Sequence, residues 1–382
     1  MRVQYYLSRI LKYRKYLSHK KIDLVRALRE SINYKLFILT KRHEVIEEFD
    51  PVKCKTIALS MHETGIGDEV ISSGLIHLLR ENGYKVFVIV DSRHAKFFND
   101  CIPNDGLILS KKTILTDKRK DLRFDLFLNP WNRNGHHYRL INLMRKIKYH
   151  YSIGQNVPKC PQLYKNIIAT ASFRERKNQH LADFLNSILR QFFPNIKPNP
   201  YKYYLNFNEK SKIKTDGFIK HLTSDGKERF ITVNGLSTDR FRCLSPSTLE
   251  RICDLVSASN EYTKVLVLNY ESIPFKINND KIIINPFKDL CDVASLLQYT
   301  YYLVTVDTCF VHIANALNIR ALCIYNNKEG KNGFINNIFF APHYDNGLMV
   351  TPEQQTHDSF GVDLRSLKPD YIIAALGKCN LI

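Results

Sequence analysis

Two short segments of the chain place glycine or hydroxyl groups beside an acidic residue at the predicted start of a helix. In the first segment, Gly65 and Gly67 precede Asp68. Glycines let a ligand approach the backbone closely, and a carboxylate beside them can act as a general base toward a hydroxyl group. The alternative role of Asp68 is structural, because the helix dipole favours an acidic residue in the first turn. The segment alone is compatible with both roles.

The second segment runs from Asp307 through Thr308 and Cys309 to His312. Free backbone N–H groups at a helix start can bind a diphosphate, and the Thr308 hydroxyl adds a donor. His312 lies one helical turn farther on and shares a helix face with Thr308. The alternative is an aspartate at the helix N-cap and a histidine packed inside the protein, and the segment alone leaves this open.

A third segment, from Asn234 to Arg242, combines the hydroxyl residues Ser237 and Thr238 with two arginines. Hydroxyl donors followed by a guanidinium group can form a phosphate clamp, because arginine pairs with phosphate through two parallel hydrogen bonds. Surface arginines are common in so basic a chain, so a solvated loop is the alternative.

The first segment follows a predicted strand and opens a predicted helix. Residues 56–61 and 85–90 are short apolar runs typical of buried strands, and the apolar residues after Asp68 recur at helical spacing. Strand–helix–strand connections of this length imply parallel pairing with right-handed crossovers. We therefore expect loop 62–68 at the carboxyl end of a strand.

A second alternating series predicts strands at residues 230–233, 264–268 and 302–306, with helices between them. Loop 307–312 therefore also follows a strand and opens a helix. In doubly wound α/β folds, ligands bind beyond the carboxyl ends of the strands. The pattern predicts an α/β fold of two consecutive Rossmann-like, doubly wound domains that face a cleft.

The length of 382 residues favours two domains of roughly 150–200 residues each. A proline-rich stretch near residues 194–201 is the best candidate for the linker. We predict a basic helical extension at 1–50, a first Rossmann-like domain at 51–200 and a second Rossmann-like domain at 201–382. The last helix can pack back on the N-terminal domain.

The composition limits the environment of the protein. The nine cysteines include no Cys-x-x-Cys pair, which argues against a zinc site and fits a reducing compartment. The sequence contains no apolar run of about 18 residues and no signal-peptide block at its amino terminus. We therefore expect a cytoplasmic protein. Its formal charge of +19 calls for an acidic partner.

About half of this charge lies in residues 1–42, which hold twelve Lys or Arg against Asp23 and Glu30. Apolar residues recur there at helical spacing, and four tyrosines precede them: Ile22, Val25, Leu28, Ile32, Leu36, Leu39; Tyr5, Tyr6, Tyr13, Tyr16. A basic amphipathic helix with interfacial aromatic residues suits a surface of anionic lipid. The alternative is a solvated helix packed on the body of the protein.

The segments, in this order, resemble glycosyltransferase family 9, which contains the ADP-heptose:lipopolysaccharide heptosyltransferases. Residues 67–80, from Gly-Asp through Leu-Arg, match the family's first signature. Residues 307–317 match its last signature, Asp-Thr-Gly-x-x-His followed by a small-residue helix, and residues 151–154 resemble the segment that ends its first domain. The similarity begins near residue 55, and residues 1–50 have no counterpart in short members of the family.

The resemblance implies a GT-B fold, with an acceptor-side domain at 51–200 and a nucleotide-sugar-binding domain at 201–382. It also implies an inverting mechanism and no metal. By it, Asp68 is the catalytic base and Arg242 binds the donor diphosphate, while Asp307, Thr308 and His312 line the donor pocket. Nowhere in the sequence do two aspartates flank a single residue, so the carboxylate pair that holds Mg or Mn in many sugar transferases is missing.

The sequence departs from the family pattern mainly on the donor side. Cys309 replaces the usual glycine, and Val233, Asn234 and Gly235 take the place of a His-Pro-Gly type of turn. Leu244 and Ser245 stand where Trp-Pro often follows the basic residue. The identity of the sugar nucleotide is therefore open, and a UDP-hexose or UDP-N-acetylhexosamine is the first alternative. A GT-B relative without activity and a basic nucleic-acid-binding protein are more distant alternatives.

We therefore predict an inverting, metal-independent glycosyltransferase that moves heptose from ADP-heptose onto a lipopolysaccharide or lipooligosaccharide core, or a related anionic glycan. It would need no cofactor and bind no nucleic acid. Residues 1–45 would contact the cytoplasmic face of the inner membrane. The predicted donor-binding residues are Ser237, Thr238, Arg242, Asp307, Thr308, Cys309 and His312, with Asp68 catalytic and Gly65 and Gly67 in the glycine turn.

Overall fold

The structure is a computed structural model. Besides Val25 and Leu28, it describes residues 30–40, 48–62, 64–109, 123–131, 137–157, 160–168, 179–196, 200–223, 228–259, 263–268, 279–329, 335–352 and 361–380. Tyr5, Tyr6, Tyr13 and Tyr16, which we predict to lie at a membrane surface, are outside the described residues.

Strands and helices alternate along the described chain. In chain order the elements are α1 (30–40), β1 (Thr56–Ser60), α2 (Ile66–Glu81), β2 (Lys85–Val90), α3 (Ala95–Cys101), β3 (Gly106–Leu109), β4 (Arg123–Asn129), α4 (His137–Lys146), β5 (Lys148–Gly154), β6 (Asn166–Ile167), α5 (Leu181–Phe192), α6 (Glu209–Leu222), β7 (Arg229–Asn234), α7 (Pro246–Ala258), β8 (Thr263–Val267), β9 (Ile282–Ile284), α8 (Leu290–Leu296), β10 (Thr300–Val306), α9 (Cys309–Ala316), β11 (Ala321–Ile324), α10 (Asn336–Phe339), β12 (Gly347–Val350) and α11 (Pro369–Lys378). Within the described residues, no helix is long and apolar enough to cross a membrane.

The twelve strands form two parallel sheets of six. The strand order of the first sheet is β3-β2-β1-β4-β5-β6, and that of the second is β12-β11-β10-β7-β8-β9. The two orders are equivalent when they are read from β1 and from β7. In each sheet the next two strands in chain order extend one side, β2-β3 or β8-β9, and the other three strands extend the opposite side, β4-β5-β6 or β10-β11-β12. This is the doubly wound order of Rossmann-like folds, so the predicted α/β class is confirmed.

The chain divides into two compact units. One comprises residues 1–63, 83–92 and 105–169 and contains the first sheet, whose strands β1, β2 and β4 are mainly apolar and buried. Its core includes Phe124 and Phe127 of β4 and Ile141 and Met144 of α4. Continuous apolar strands of this kind are typical of parallel sheets covered on both faces.

The other unit comprises residues 64–82, 93–104 and 170–382, and therefore contains α2 and α3 together with the second sheet. Its core packs α7 against the sheet through Leu249, Ile252 and Val256. The last helix, α11, joins the same core through Ile372 and Leu376. The predicted domain boundary near residue 200 stays a prediction.

Helix α2 is anchored within its unit by the segment that precedes α6. The Tyr201 hydroxyl donates to the carbonyl of Ile71 at 2.8 Å and accepts from the N–H of Leu75 at 2.9 Å. Gly74 lies at this contact, and a Cβ there would be 2.5 Å from the carbonyl oxygen of Lys202 and 2.8 Å from the Tyr201 ring. The close approach therefore requires glycine.

Replacement of Gly74 with alanine should destabilise the protein by about 1–3 kcal/mol, because the new methyl group overpacks a contact made by backbone and a hydrogen-bonded ring. The matched control is Gly217→Ala in α6, where an added Cβ meets nothing within 4 Å. That change should stabilise by about 0.5–1 kcal/mol through helix propensity. Urea unfolding followed by circular dichroism measures both, and an equally stable Gly74→Ala variant would contradict the packing argument.

Candidate active site

The second sheet has its switch point between β7 and β10, which are neighbours in the sheet and from which the strand order runs in opposite directions. In doubly wound sheets, ligands bind in the crevice beyond the carboxyl ends of such strands. Those ends are Asn234 and Val306. The Asn234 side chain donates to the hydroxyls of Thr305 at 3.0 Å and Thr308 at 3.2 Å, and so links the two loops that leave the strands.

Helix α9 begins at this switch point. Thr308 is its N-cap residue, and its hydroxyl accepts from the N–H of Phe310 at 3.4 Å. Buried apolar residues such as Val311 and Ile313 fix the helix in the core. The first turn of a helix has backbone N–H groups without helical partners, which makes the start of α9 suited to an anion.

Arg242 and Asp307 lie together at the same point. A short 3-10 turn, Arg240–Arg242, places the Arg242 guanidinium so that Nη1 donates to both the carbonyl oxygen and Oδ2 of Asp307, each at 3.0 Å. Asn336 donates to the same Oδ2 at 3.2 Å. Arg242 is thus held by a buried carboxylate rather than solvated, and its Nε is buried without a hydrogen-bond partner among the described residues.

The other members of the third segment have different surroundings. The Ser237 hydroxyl accepts from the N–H of Asp239 at 3.4 Å, and the Ser237 N–H donates to Cys243 Sγ at 3.2 Å, so Ser237 shapes the turn itself. Thr238 is exposed. Asp239 forms an ion pair with Lys328 at 2.7 Å. Burial raises the pKa of Asp239, but the hydrogen bonds from Lys328 and the Phe241 N–H, together with the positive charges of Lys328 and Arg242, lower the pKa overall.

Asp68 lies in the first turn of α2. Its Oδ2 accepts from the N–H of Gly65 at 2.8 Å, and the residue is only 7% exposed. The structural role expected as an alternative is therefore present, since the carboxylate caps the helix start. The cap does not exclude a role as base, and the catalytic assignment of Asp68 stays a prediction.

Helices α2 and α9 cross at Gly67. A Cβ on Gly67 would lie 3.0 Å from Cδ2 of His312 and 3.7 Å from Cα of Cys309. Glycine therefore lets the start of α2, which carries Asp68, lie directly against the start of α9. The structure thus brings the two predicted signature loops together. Gly65 is under no such restriction, because a Cβ there would meet only Asp68 Oδ2 at 3.6 Å.

His312 is 3% exposed, and burial lowers its pKa to about 3, so the imidazole is neutral at physiological pH. The rings of Tyr203 and Phe340 lie edge-on to the imidazole, with distances of 6.1 and 6.3 Å between the ring centroids. Its Nδ1 is buried without a hydrogen-bond partner among the described residues. The geometry agrees with the packed histidine expected as an alternative, and its predicted place in the donor pocket stays a prediction.

Sequence patterns did not single out several residues that form the site. Asn234, noted only as a departure from the family turn, links both loops. Lys328 follows β11 and Asn336 begins α10, and neither lies in a recognisable motif. Glu69 and His94 were also missed. The sequence signal that could have indicated this pair is Glu69 itself, a second acidic residue directly after Asp68.

Glu69 and His94 form a buried pair beside Asp68. Glu69 Oε1 lies 2.7 Å from His94 Nδ1 and accepts from the Thr64 hydroxyl at 3.1 Å. The Glu69 side chain is fully buried. Burial raises its pKa to about 7, although the hydrogen bond from His94 opposes the shift. Within the described residues, no group of three or more His, Cys, Asp or Glu could hold a metal ion.

Comparison with known proteins supports the resemblance that the motifs carry. No family model matches the chain. A curated protein of Escherichia coli (strain K12), named "Putative lipopolysaccharide heptosyltransferase 4", is 20% identical over 314 residues, which cover 80% of this chain and 84% of that protein. The chain is heptosyltransferase-like.

Solved structures agree with this heptosyltransferase-like assignment at the level of the fold. A family 9 glycosyltransferase from Veillonella parvula covers 87% of this chain and 99% of its own, with a TM-score of 0.67 and 13% identity. ADP-heptose lipopolysaccharide heptosyltransferase II of E. coli covers 86% and 98%, with a TM-score of 0.62 and 13% identity. The predicted GT-B fold and the family 9 resemblance are thus confirmed, and the glycosyltransferase class rests on the similarity to the curated relative.

The Glu69 pair makes the stability of this heptosyltransferase-like protein depend on pH. The pKa in the folded state lies above the value of about 4.3 for an unfolded chain, so folding is favoured while Glu69 is protonated. This contribution is complete below about pH 4.3 and is lost as the pH rises toward 7. Glu69→Gln removes the ionisation and should reduce the loss of unfolding free energy between about pH 5 and 7.5.

Urea unfolding at several pH values in this interval measures the difference. Glu209→Gln is the control, because the Glu209 side chain is 79% exposed. The control should follow the wild-type pH profile, and a Glu69→Gln profile as steep as that of the wild type would refute the buried ionisation.

Proposed function

We propose that the protein transfers a sugar from a nucleotide diphosphate sugar to a hydroxyl group of an anionic glycan, with ADP-heptose as donor and a lipopolysaccharide or lipooligosaccharide core as acceptor. The transfer is inverting and needs no metal. Asp68 is the base, and the loops at the switch point of the second sheet bind the donor.

One observation carries the proposal. The Arg242–Asp307 pair lies at the switch point beside the Thr308-capped start of α9, and the Gly67–His312 contact holds the start of α2 against that helix. A cationic guanidinium and a helix start are the two features that favour a phosphate group there. A buried carboxylate lies at the start of the neighbouring helix, where a base is needed.

The donor diphosphate carries the charge that develops during transfer. Arg242 keeps its positive charge because arginine stays protonated in proteins, and its ion pair with Asp307 fixes the guanidinium before the substrate arrives. Preorganised donors of this kind, together with the N–H groups of α9, stabilise a leaving diphosphate by several kcal/mol. These groups would neutralise the charge of the leaving diphosphate, as a metal ion does in many other sugar transferases.

The reaction step balances without a further reactant. The acceptor oxygen attacks the anomeric carbon as Asp68 takes its proton, and a new C–O bond forms. The bond from the anomeric carbon to the diphosphate oxygen breaks, and its electron pair leaves with the nucleotide diphosphate. Attack opposite the leaving group inverts the anomeric carbon, and a positioned base contributes about 10²–10⁴-fold to such a step.

The names of similar proteins support the choice of donor and acceptor. The curated relative is named for lipopolysaccharide heptosyl transfer, and a solved structure of similar fold is the E. coli heptosyltransferase WaaC with ADP, with a TM-score of 0.56. The formal charge of +19 suits an acceptor that carries phosphate or carboxylate groups.

The donor prediction is tested with a panel of ADP-, UDP-, GDP- and CMP-sugars. We expect ADP-heptose to raise the melting temperature most and to release ADP when acceptor is present. Arg242→Gln should lose at least about tenfold in donor affinity, because a charge-assisted bond to phosphate is worth about 1.5–3 kcal/mol. Arg240→Gln, on the same turn but exposed, should bind like the wild type. If the protein prefers a UDP-sugar, the donor assignment is wrong. If it binds none of the sugar nucleotides, the proposed function is refuted.

The base prediction is tested with Asp68→Asn. Asparagine can still accept the hydrogen bond from Gly65, so the helix cap is kept while the proton acceptor is lost. We expect the rate of transfer to fall by about 10²–10⁴-fold, with donor affinity within about twofold of the wild type. Asp183→Asn, in the first turn of α5, is the control and should stay active. An active Asp68→Asn enzyme would exclude the base assignment.

A further inference from the structure

Helix α1 carries an apolar stripe that is open to solvent. Val25, Leu28, Ile32, Leu36 and Leu39 are 42%, 61%, 48%, 38% and 61% exposed. Val25 and Leu28 have the same helical conformation as residues 30–40. We call these five residues the α1 stripe.

The opposite face of α1 is packed on the first sheet's core. Phe37 is 1% exposed and lies in that core, and Tyr34 and Ile38 pack against it. The Tyr34 hydroxyl also accepts from the backbone N–H of Gln162 at 3.1 Å. The helix is therefore anchored to its unit by one face, and its orientation exposes the other face.

The two faces lie on opposite sides of the helix axis. At about 100° of rotation per residue, Ile32, Leu36 and Leu39 fall within about 60° of each other, while Tyr34 and Phe37 lie about 170° and 130° from the centre of that arc. The exposed stripe therefore has the spacing of a second contact face. A surface helix that packs on a core needs one apolar face. Packing on the core of the first sheet therefore explains the face with Tyr34 and Phe37 but leaves the exposed stripe without a role.

The stripe stands out from the other exposed apolar residues. Among the described residues, twelve large hydrophobic side chains are exposed, and five of them form the α1 stripe. Single exposed apolar residues are ordinary on protein surfaces, whereas a contiguous exposed patch marks an interaction site. The outward face of α1 is therefore a candidate interaction surface.

The charge around the stripe indicates its partner. Lys35, next to Leu36, is exposed. Residues 1–42 contain twelve Lys or Arg and two acidic residues, of which Glu30 is buried. An apolar stripe embedded in a strongly basic segment fits a surface that offers acyl chains and negative headgroups together. A second copy of the chain would instead bring two segments of the same positive charge face to face.

We propose that α1 docks the protein on an anionic phospholipid bilayer, with the α1 stripe inserted at the headgroup boundary. The positive charge that the sequence concentrates in residues 1–42 favours such a surface. Helix α1 lies in the plane of the surface, because its other face is occupied by the first sheet's core. This proposal concerns binding alone and does not rest on the identity of the sugar donor.

The test is sedimentation of the full-length protein with vesicles. We expect binding to vesicles containing phosphatidylglycerol, weak binding to pure phosphatidylcholine, and loss of binding as the salt concentration is raised. The combined variant Ile32→Ser, Leu36→Ser, Leu39→Ser should bind at least about tenfold more weakly, because three apolar side chains no longer insert. The matched control replaces Ile213, Leu348 and Met349, which are 69%, 44% and 39% exposed, with serine and should bind like the wild type.

Two readouts keep the result interpretable. Circular dichroism and the melting temperature show whether the stripe variant is folded, and donor-induced stabilisation shows separately whether the nucleotide site is intact. Unchanged vesicle binding by the folded stripe variant, or no binding by the wild type, would overturn the proposal. Light scattering that shows a wild-type dimer, monomeric in the stripe variant, would assign the stripe to a second copy and likewise overturn it.

Discussion

The crossing of α2 and α9 is the contact on which the candidate site depends. Gly67 is small enough for the imidazole of His312 to lie against the helix, and burial keeps that imidazole neutral. A charged histidine at this place would introduce an uncompensated buried charge between two helix starts, whose dipoles are both positive there. The crossing thus determines how close the carboxylate of Asp68 lies to the helix that begins after Thr308.

The two sheets show how much a sequence can predict about this architecture. Apolar runs such as those of β2 and β10 are continuous and flanked by helical spacing, so their strands and parallel pairing were predictable. Strand β5 was missed because its apolar residues alternate with lysine and histidine directly after α4. Helix α4 ends at Lys146, and β5 begins only two residues later at Lys148.

The site was predictable only in part, and for a physical reason. Asp68, Asp307 and Thr308 follow strands and open helices, so local pattern places them at strand ends. The partner of Arg242 is 65 residues distant in sequence, and the pair formed by Glu69 and His94 joins two separate helices. Such pairings depend on tertiary packing, and no local spacing encodes them.

The helix cap at Asp68 has a consequence for the catalytic cycle. The Asp68 carboxylate receives the hydrogen bond from the N–H of Gly65. The same carboxylate is proposed to take the proton from the hydroxyl group of the sugar that is glycosylated. A neutral carboxylic acid is a weaker hydrogen-bond acceptor than a carboxylate, and it interacts less favourably with the helix dipole. In the proposed reaction the start of α2 is therefore loosest just after sugar transfer and tightens again once the proton has left. Turnover and local stability are linked through one side chain.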